Sequence, residues 1–138
     1  MVDSEELCTQ LKASGRRLTP QRRAIIEALL EELSHPTADE ILSRVRRRMP
    51  DISHATVYNT LRELAEIGVI RELEVGLSER HYDLPNERHA HLVCRACGEL
   101  VDVVYDRRAE TLRPVDNHGF EIDECLVVFR GRCPRCTP

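Results

Sequence analysis

The chain has no tryptophan, two phenylalanines and three tyrosines, so its core must be built from Leu, Ile and Val. It also lacks any apolar run near the roughly 18 residues of a membrane span. Its start, Met1-Val-Asp-Ser-Glu-Glu6, has neither the basic nor the apolar region of a signal peptide, which makes the cytoplasm the expected location and a membrane partner unexpected. Without an export signal, the two Cys-x-x-Cys pairs among its six cysteines are better explained as metal-binding thiolates than as disulfides. Over 138 residues, 41% apolar and 32% charged residues describe one globular domain or two small ones.

The net charge of -4 conceals an asymmetry: Gly15 to Arg62 holds nine Arg against six acidic residues, a surplus of +3, and the remainder carries -7. A local basic region of this kind suits nucleic acid, and an acidic remainder limits non-specific sticking.

A leading helix is expected over residues 3 to 13. Next, Thr19 is a natural N-cap and Pro20 takes the first helical position, so a second helix should run to about Leu33. Arginines surround its start, where Arg17, Gln21 and Arg22 are candidate DNA-backbone contacts. Thr37-Ala-Asp-Glu40 has capping-box spacing for a third helix to about Arg48, and Ser53 caps a fourth that ends at Gly68. In this fourth helix Val57, Leu61 and Leu64 point inward, leaving Ala55, Thr56, Tyr58, Asn59 and Arg62 as a polar reading face. The pattern is a helix-turn-helix. Strands are expected at Val69 to Val75 and Arg80 to Leu84, and a hairpin directly after a reading helix makes a winged helix.

Residues 85 to 88 have linker composition, placing a DNA-binding domain at 1 to 84 and a second domain at 89 to 138. There a strand (His89 to Cys94), a knuckle with Gly98, a strand (Leu100 to Tyr105), a helix (about Asp106 to Asn117) and a long strand (Phe120 to Arg130) are expected. That last strand is apolar on both faces, which suggests cover by a second protomer. The class is therefore α+β.

Two Cys-x-x-Cys pairs, Cys94/Cys97 and Cys133/Cys136, supply the four thiolates of a closed tetrahedral zinc site. Cys8 and Cys125 are left over: Cys8 lies in the leading helix and reads as inert, and Cys125, in a strand with apolar neighbours, reads as a small buried hydrophobe. His89 and His91, two apart on a strand, can converge on one ion. His35, Asp83 and Asp102 are further donors that the layout could bring near them. Such an N/O set suits Fe(II), Mn(II), Co(II), Ni(II) or Zn(II) without choosing among them. His54, His81 and His118 read instead as a neighbour in the reading helix, a wing surface residue and a turn residue.

Arg17-Leu-Thr-Pro-Gln-Arg22, His35-Pro-Thr-Ala-Asp-Glu40, Ala55-Thr-Val-Tyr-Asn-Thr-Leu61, His89-x-His91-x-x-Cys94-x-x-Cys97-Gly98, Val101-Asp102 and Cys133-x-x-Cys136 together resemble the Fur (ferric uptake regulator) family of bacterial metal-dependent repressors, and within it the peroxide-sensing PerR branch. The resemblance implies a homodimer, with winged-helix domains on an α/β dimerisation domain, that represses transcription at a palindromic operator. It also implies structural zinc on Cys94, Cys97, Cys133 and Cys136, and regulatory Fe(II) or Mn(II) on His35, Asp83, His89, His91 and Asp102. In the peroxide-sensing branch the positions matching His35 and His89 are oxidised, the metal is lost and repression ends.

Asp at position 102, where iron sensors usually have Glu, favours that branch. The alternative is an iron-, manganese- or zinc-responsive homeostasis repressor on the same scaffold. Cys125 and Ala109 stand where some relatives carry additional His and Glu ligands, so a further site in those relatives is absent or altered here. No independent acid-base pair is apparent, and an enzyme is not expected.

Overall fold

The computed structural model describes residues 3–31, 35–77, 79–84, 90–104, 113–122 and 125–138. The chain divides into two compact units, Met1–Pro85 and Asn86–Pro138.

The first unit holds helices α1 (Ser4–Ala13), α2 (Pro20–Leu29), α3 (Ala38–Arg46) and α4 (His54–Glu66), followed by strands β1 (Arg71–Leu73) and β2 (His81–Asp83). Each helix begins at a side-chain cap. The oxygens of Asp3, Thr19, Thr37 and Ser53 accept from the amides of Glu6, Arg22, Glu40 and Thr56 at 2.8, 3.1, 3.2 and 3.0 Å. At the other end of α4, Gly68 takes φ +77°, a conformation that favours glycine, and Val69 then donates back to the Leu64 carbonyl at 3.0 Å.

The core is aliphatic, as the shortage of aromatics requires: Leu7, Leu11, Ile25, Ile26, Ile41, Val45, Val57, Leu61 and Leu64 are almost fully buried. Arg44 is buried too, and its guanidinium donates to the Ala28 carbonyl in the last turn of α2 at 3.0 Å. Cys8 packs into this core.

The wing is an antiparallel pair in which Arg71, Glu72 and Leu73 face Asp83, Tyr82 and His81. Thr37 bridges to His81, and Tyr82 donates to the Pro36 carbonyl at 2.9 Å, so the segment entering α3 is stitched to the wing's edge. Both strands are shorter than expected. Val69, Ile70 and Val75 are buried without joining the ladder, because apolar character reports burial and not pairing. Helix α2 likewise closes at Leu29 rather than near Leu33.

In the second unit β3 (Ala90–Cys94) lies between β4 (Leu100–Val103), antiparallel to it, and β5 (Val128–Gly131), parallel to it. The long strand expected from Phe120 is therefore confined to its last few residues. β5 starts at Val128, opposite His91 of β3. Cys125, outside this ladder, is exposed and not a buried hydrophobe. Of the expected helix, residues 113–117 are not helical, and 105–112 lie outside the described residues, as do 85–88 and His89. Among the described residues no helix is long and apolar enough to cross a membrane.

Candidate metal centre and nucleic-acid interface

Strand β3 ends in Cys94, after which the chain turns through Gly98 at φ +78°, whose amide donates to the Cys94 carbonyl at 2.9 Å. Parallel pairing sets Gly131 beside Cys94, and the amide of Arg95 donates to the Gly131 carbonyl at 2.8 Å. This delivers the second knuckle, where the amides of Cys136 and Thr137 both return to the Cys133 carbonyl, at 2.9 and 3.0 Å.

The four sulfurs all lie within 4.8 Å of one another. Cys97 and Cys133 sulfurs are 3.7 Å apart, far beyond a disulfide bond. It is also close to the edge of about 3.8 Å that follows for a tetrahedron with Zn–S bonds of about 2.3 Å. The residues fit zinc.

Their electrostatics are graded. Amide hydrogen bonds, first from Cys133 and then from Cys97, pull the Cys94 thiol down to about 6; the Cys133 amide lies 3.3 Å from its sulfur. Cys136 is pushed up to about 12 by its hydrogen bond to Cys133 and by burial. The first thiolate forms readily and the last is resisted until a cation offsets the accumulated charge.

Further back on β3, His91 faces Asp102 of β4 in register, with Nδ1 3.0 Å from Oδ1. Two donors about 2.1 Å from a shared ion, at right angles, would also lie about 3.0 Å apart. An imidazole and a carboxylate at this spacing therefore suit a borderline divalent ion.

The remaining expected donors of the described chain belong to the first unit. His35 precedes α3, and its carbonyl lies 2.7 Å from Nδ1 of His81. Because a carbonyl can only accept, that proton sits on Nδ1. Asp83 ends the wing, where Arg71 grips it by Nε to Oδ1 at 3.0 Å and by Nη2 to Oδ2 at 2.8 Å. Sequence reasoning missed both His81, taken for a wing surface residue, and Arg71. The hairpin register reveals Arg71 and the bridge from Thr37 to His81 reveals His81, both non-local properties.

The expected nucleic-acid contacts are all in the first unit. Arg17, Gln21, Ala55, Asn59 and Arg62 are exposed, and Thr56 is half-buried with its hydroxyl 2.7 Å from that of Ser53. Tyr58 donates to Asp39 of α3 at 2.9 Å and stacks on His54 with ring centroids 4.0 Å apart. Burial and the neighbouring Asp39 both hold the Tyr58 phenol in its protonated form. Arg22 is tied down: Nη2 meets Glu63 at 2.7 Å and Nη1 donates to the Arg17 carbonyl at 2.5 Å, clamping the start of α2 to α4.

Residues 13–130 match the profile of the Ferric uptake regulator family. The peroxide-responsive repressor PerR of Staphylococcus epidermidis is 37% identical over 134 residues, spanning 96% of this chain and 89% of its own length. Among solved structures, the ferric uptake regulator Fur of Helicobacter pylori superposes with a TM-score of 0.78 at 22% identity, covering 98% of this chain and 94% of its own. PerR from Streptococcus pyogenes does so with a TM-score of 0.55 at 28% identity, covering 99% and 95%. With most of its length matched by the profile and a winged helix preceding a four-thiol unit, the chain belongs to the ferric uptake regulator family.

Proposed function

We propose that this protein is a metal-dependent transcriptional repressor that binds a palindromic operator as a homodimer and is released by peroxide. The observation that carries the reading is the double duty of one strand. β3 ends in Cys94 of the four-thiol cluster and, three residues earlier, presents His91 within 3.0 Å of Asp102. The name of the Staphylococcus relatives, peroxide-responsive repressor, supports the same conclusion.

In this reading zinc sits permanently on Cys94, Cys97, Cys133 and Cys136, fixing the end of β3. The regulatory ion, Fe(II) or Mn(II), would be held by His35, Asp83, His89, His91 and Asp102, and would favour whichever state of the protein lets all five reach it. Fe(II), when held there, would supply the reducing equivalents for hydrogen peroxide. His35 and His89 are the side chains that take up oxygen, and an oxidised imidazole holds the ion less well. Repression then ends because the bias between states is lost.

DNA contact is assigned to α4, with Ala55, Thr56, Tyr58, Asn59 and Arg62 toward base edges, and to Arg17, Gln21 and Arg22 toward phosphates. The dimer is supported by a row of half-exposed apolar residues across the sheet: Leu92, Val101 and Phe129 are in register on β3, β4 and β5 and are 43%, 44% and 45% exposed. Such a row on an isolated chain asks for cover.

The test is a mobility-shift titration on operator DNA with Fe(II), Mn(II), Zn(II) or no added metal, with and without peroxide, followed by peptide masses. Retention of DNA should require metal, and peroxide should abolish it in the Fe(II) form while adding oxygen to the His35 or His89 peptide. Metal-dependent binding with no added oxygen would sink the peroxide step and leave a homeostasis repressor.

A further inference from the structure

Among the described residues of the wing, the arginine-carboxylate pairs have different surroundings. Arg80 meets Glu72 at 2.9 Å and Glu74 at 3.4 Å on the outside, with its side chain 64% exposed, and such pairs are screened by water. Arg71 and Asp83 form the inner pair. Asp83's side chain is 4% exposed and Arg71's 21%, and the guanidinium reaches both carboxylate oxygens at once. A carboxylate so removed from water needs a cation beside it, and here the chain itself provides one.

The fork has a consequence for any ion that would use Asp83. A planar guanidinium set against the carboxylate edge claims a lone pair on each oxygen. A divalent ion must approach one of those oxygens to roughly 2.0–2.2 Å, and there it meets a fixed positive charge. The ion is left the second lone pair of an oxygen that the guanidinium has already polarised, which makes it a weaker donor, and the two cations repel.

We propose that Arg71 is an internal competitor of the regulatory ion for Asp83, neutralising the carboxylate when the site is empty and raising the metal concentration needed to fill it. This rests on the assignment of Asp83 as a ligand. Arg71 is thus a positioning residue that sets the threshold of the response without touching the ion. It also holds β1 to β2 in the unloaded protein, since the two residues are direct cross-strand partners. An ion that captures Asp83 has to replace this tie with its own bonds to the other ligands, so weakly bound ions are turned away.

Isothermal titration with Mn(II), under peroxide-free conditions, on zinc-loaded protein provides the test. Charge-assisted hydrogen bonds of this kind correspond to factors of roughly tenfold to a hundredfold in an equilibrium constant. Arg71→Gln should therefore bind Mn(II) tighter by roughly tenfold or more, Arg71→Lys should gain less, and Glu72→Gln, which breaks an outer pair, should change nothing. Damage to the wing would weaken binding, so a gain separates competition from a structural effect. Should Arg71→Gln lose its far-UV circular dichroism, Arg71→Lys carries the test alone. Unchanged or weaker Mn(II) binding in the folded Arg71 variants, with Asp83→Asn weakened, overturns the competition and spares the ligand assignment. Asp83→Asn binding Mn(II) as tightly as the natural chain overturns both.

Discussion

The two units solve the problem of stability differently. In the first, four capped helices close over a continuous aliphatic core that reaches from Leu7 to Tyr82. In the second, the described residues with buried apolar side chains are Ala90, Val93 and Cys94, whereas Leu92, Val101, Phe120, Ile122 and Phe129 remain open to solvent. A unit of some fifty residues is at the size where hydrophobic contact alone seldom holds a fold, and the burial among its described residues is small. The contrast teaches that the helical unit is self-supporting, whereas the strand unit, in the function proposed above, leans on zinc at one end of β3 and on a second copy across its open face.

The largest way to break this comparison is to remove zinc. Apparent binding of about 10–16 kcal/mol exceeds or equals the entire stability of a small domain. Cys94→Ser, or stripping zinc with a strong chelator, should therefore unfold the second unit while leaving the helical circular dichroism of the first. Amide hydrogen exchange resolves the two: full exposure of β3 to β5 beside continued protection of α2 and α4 is the expected pattern. Equal loss from both units would show that the first is not self-supporting.

The reverse experiment strikes the helical core. Leu61 is fully buried, and Leu61→Ala should cost about 2–5 kcal/mol of unfolding free energy in urea. The zinc content per chain should stay the same, as measured by metal analysis.

A smaller effect is expected at the open face. Phe129→Asp places a charge in the row formed with Leu92 and Val101, and should weaken self-association by about 2 kcal/mol or more, read by sedimentation across a dilution series. Zinc binding should persist, because Phe129's side chain belongs to the row and not to the thiol cluster. The smallest is Thr37→Ala, which removes the hydroxyl that accepts from the Glu40 amide. It should cost about 1 kcal/mol of stability, confined to the melt of the first unit.

What could be read from the sequence was local. Thr19-Pro20, Thr37 and Ser53 announce helix starts because a cap satisfies amides only two or three residues away. The thiol pairs announce themselves by the reach of one tight turn. Strand lengths were not legible: β5 begins at Val128, opposite His91, and which residues pair is set by the partner strand and not by the apolar pattern. The same reason hid the fork on Asp83. Arg71 and Asp83 are 12 residues apart and become neighbours only through the hairpin's register. The tie between His81 and the His35 carbonyl spans 46 positions and was equally out of reach. His89 and the helix expected across 106–117 fall wholly or largely outside the described residues.

The parallel pairing of β3 with β5 has a consequence for the order of synthesis. Cys97 leaves the ribosome 36 residues before Cys133, its neighbour in the thiol cluster. At roughly 5–20 residues per second that is a wait of a few seconds. Throughout it, one edge of β3 has no partner and two thiols have no companions, while the helical unit, already complete, can fold behind them. Newly made chains are therefore most open to aggregation and to thiol oxidation in that interval, and zinc supplied late, after Cys136 has emerged, serves as the closing step of the chain's assembly.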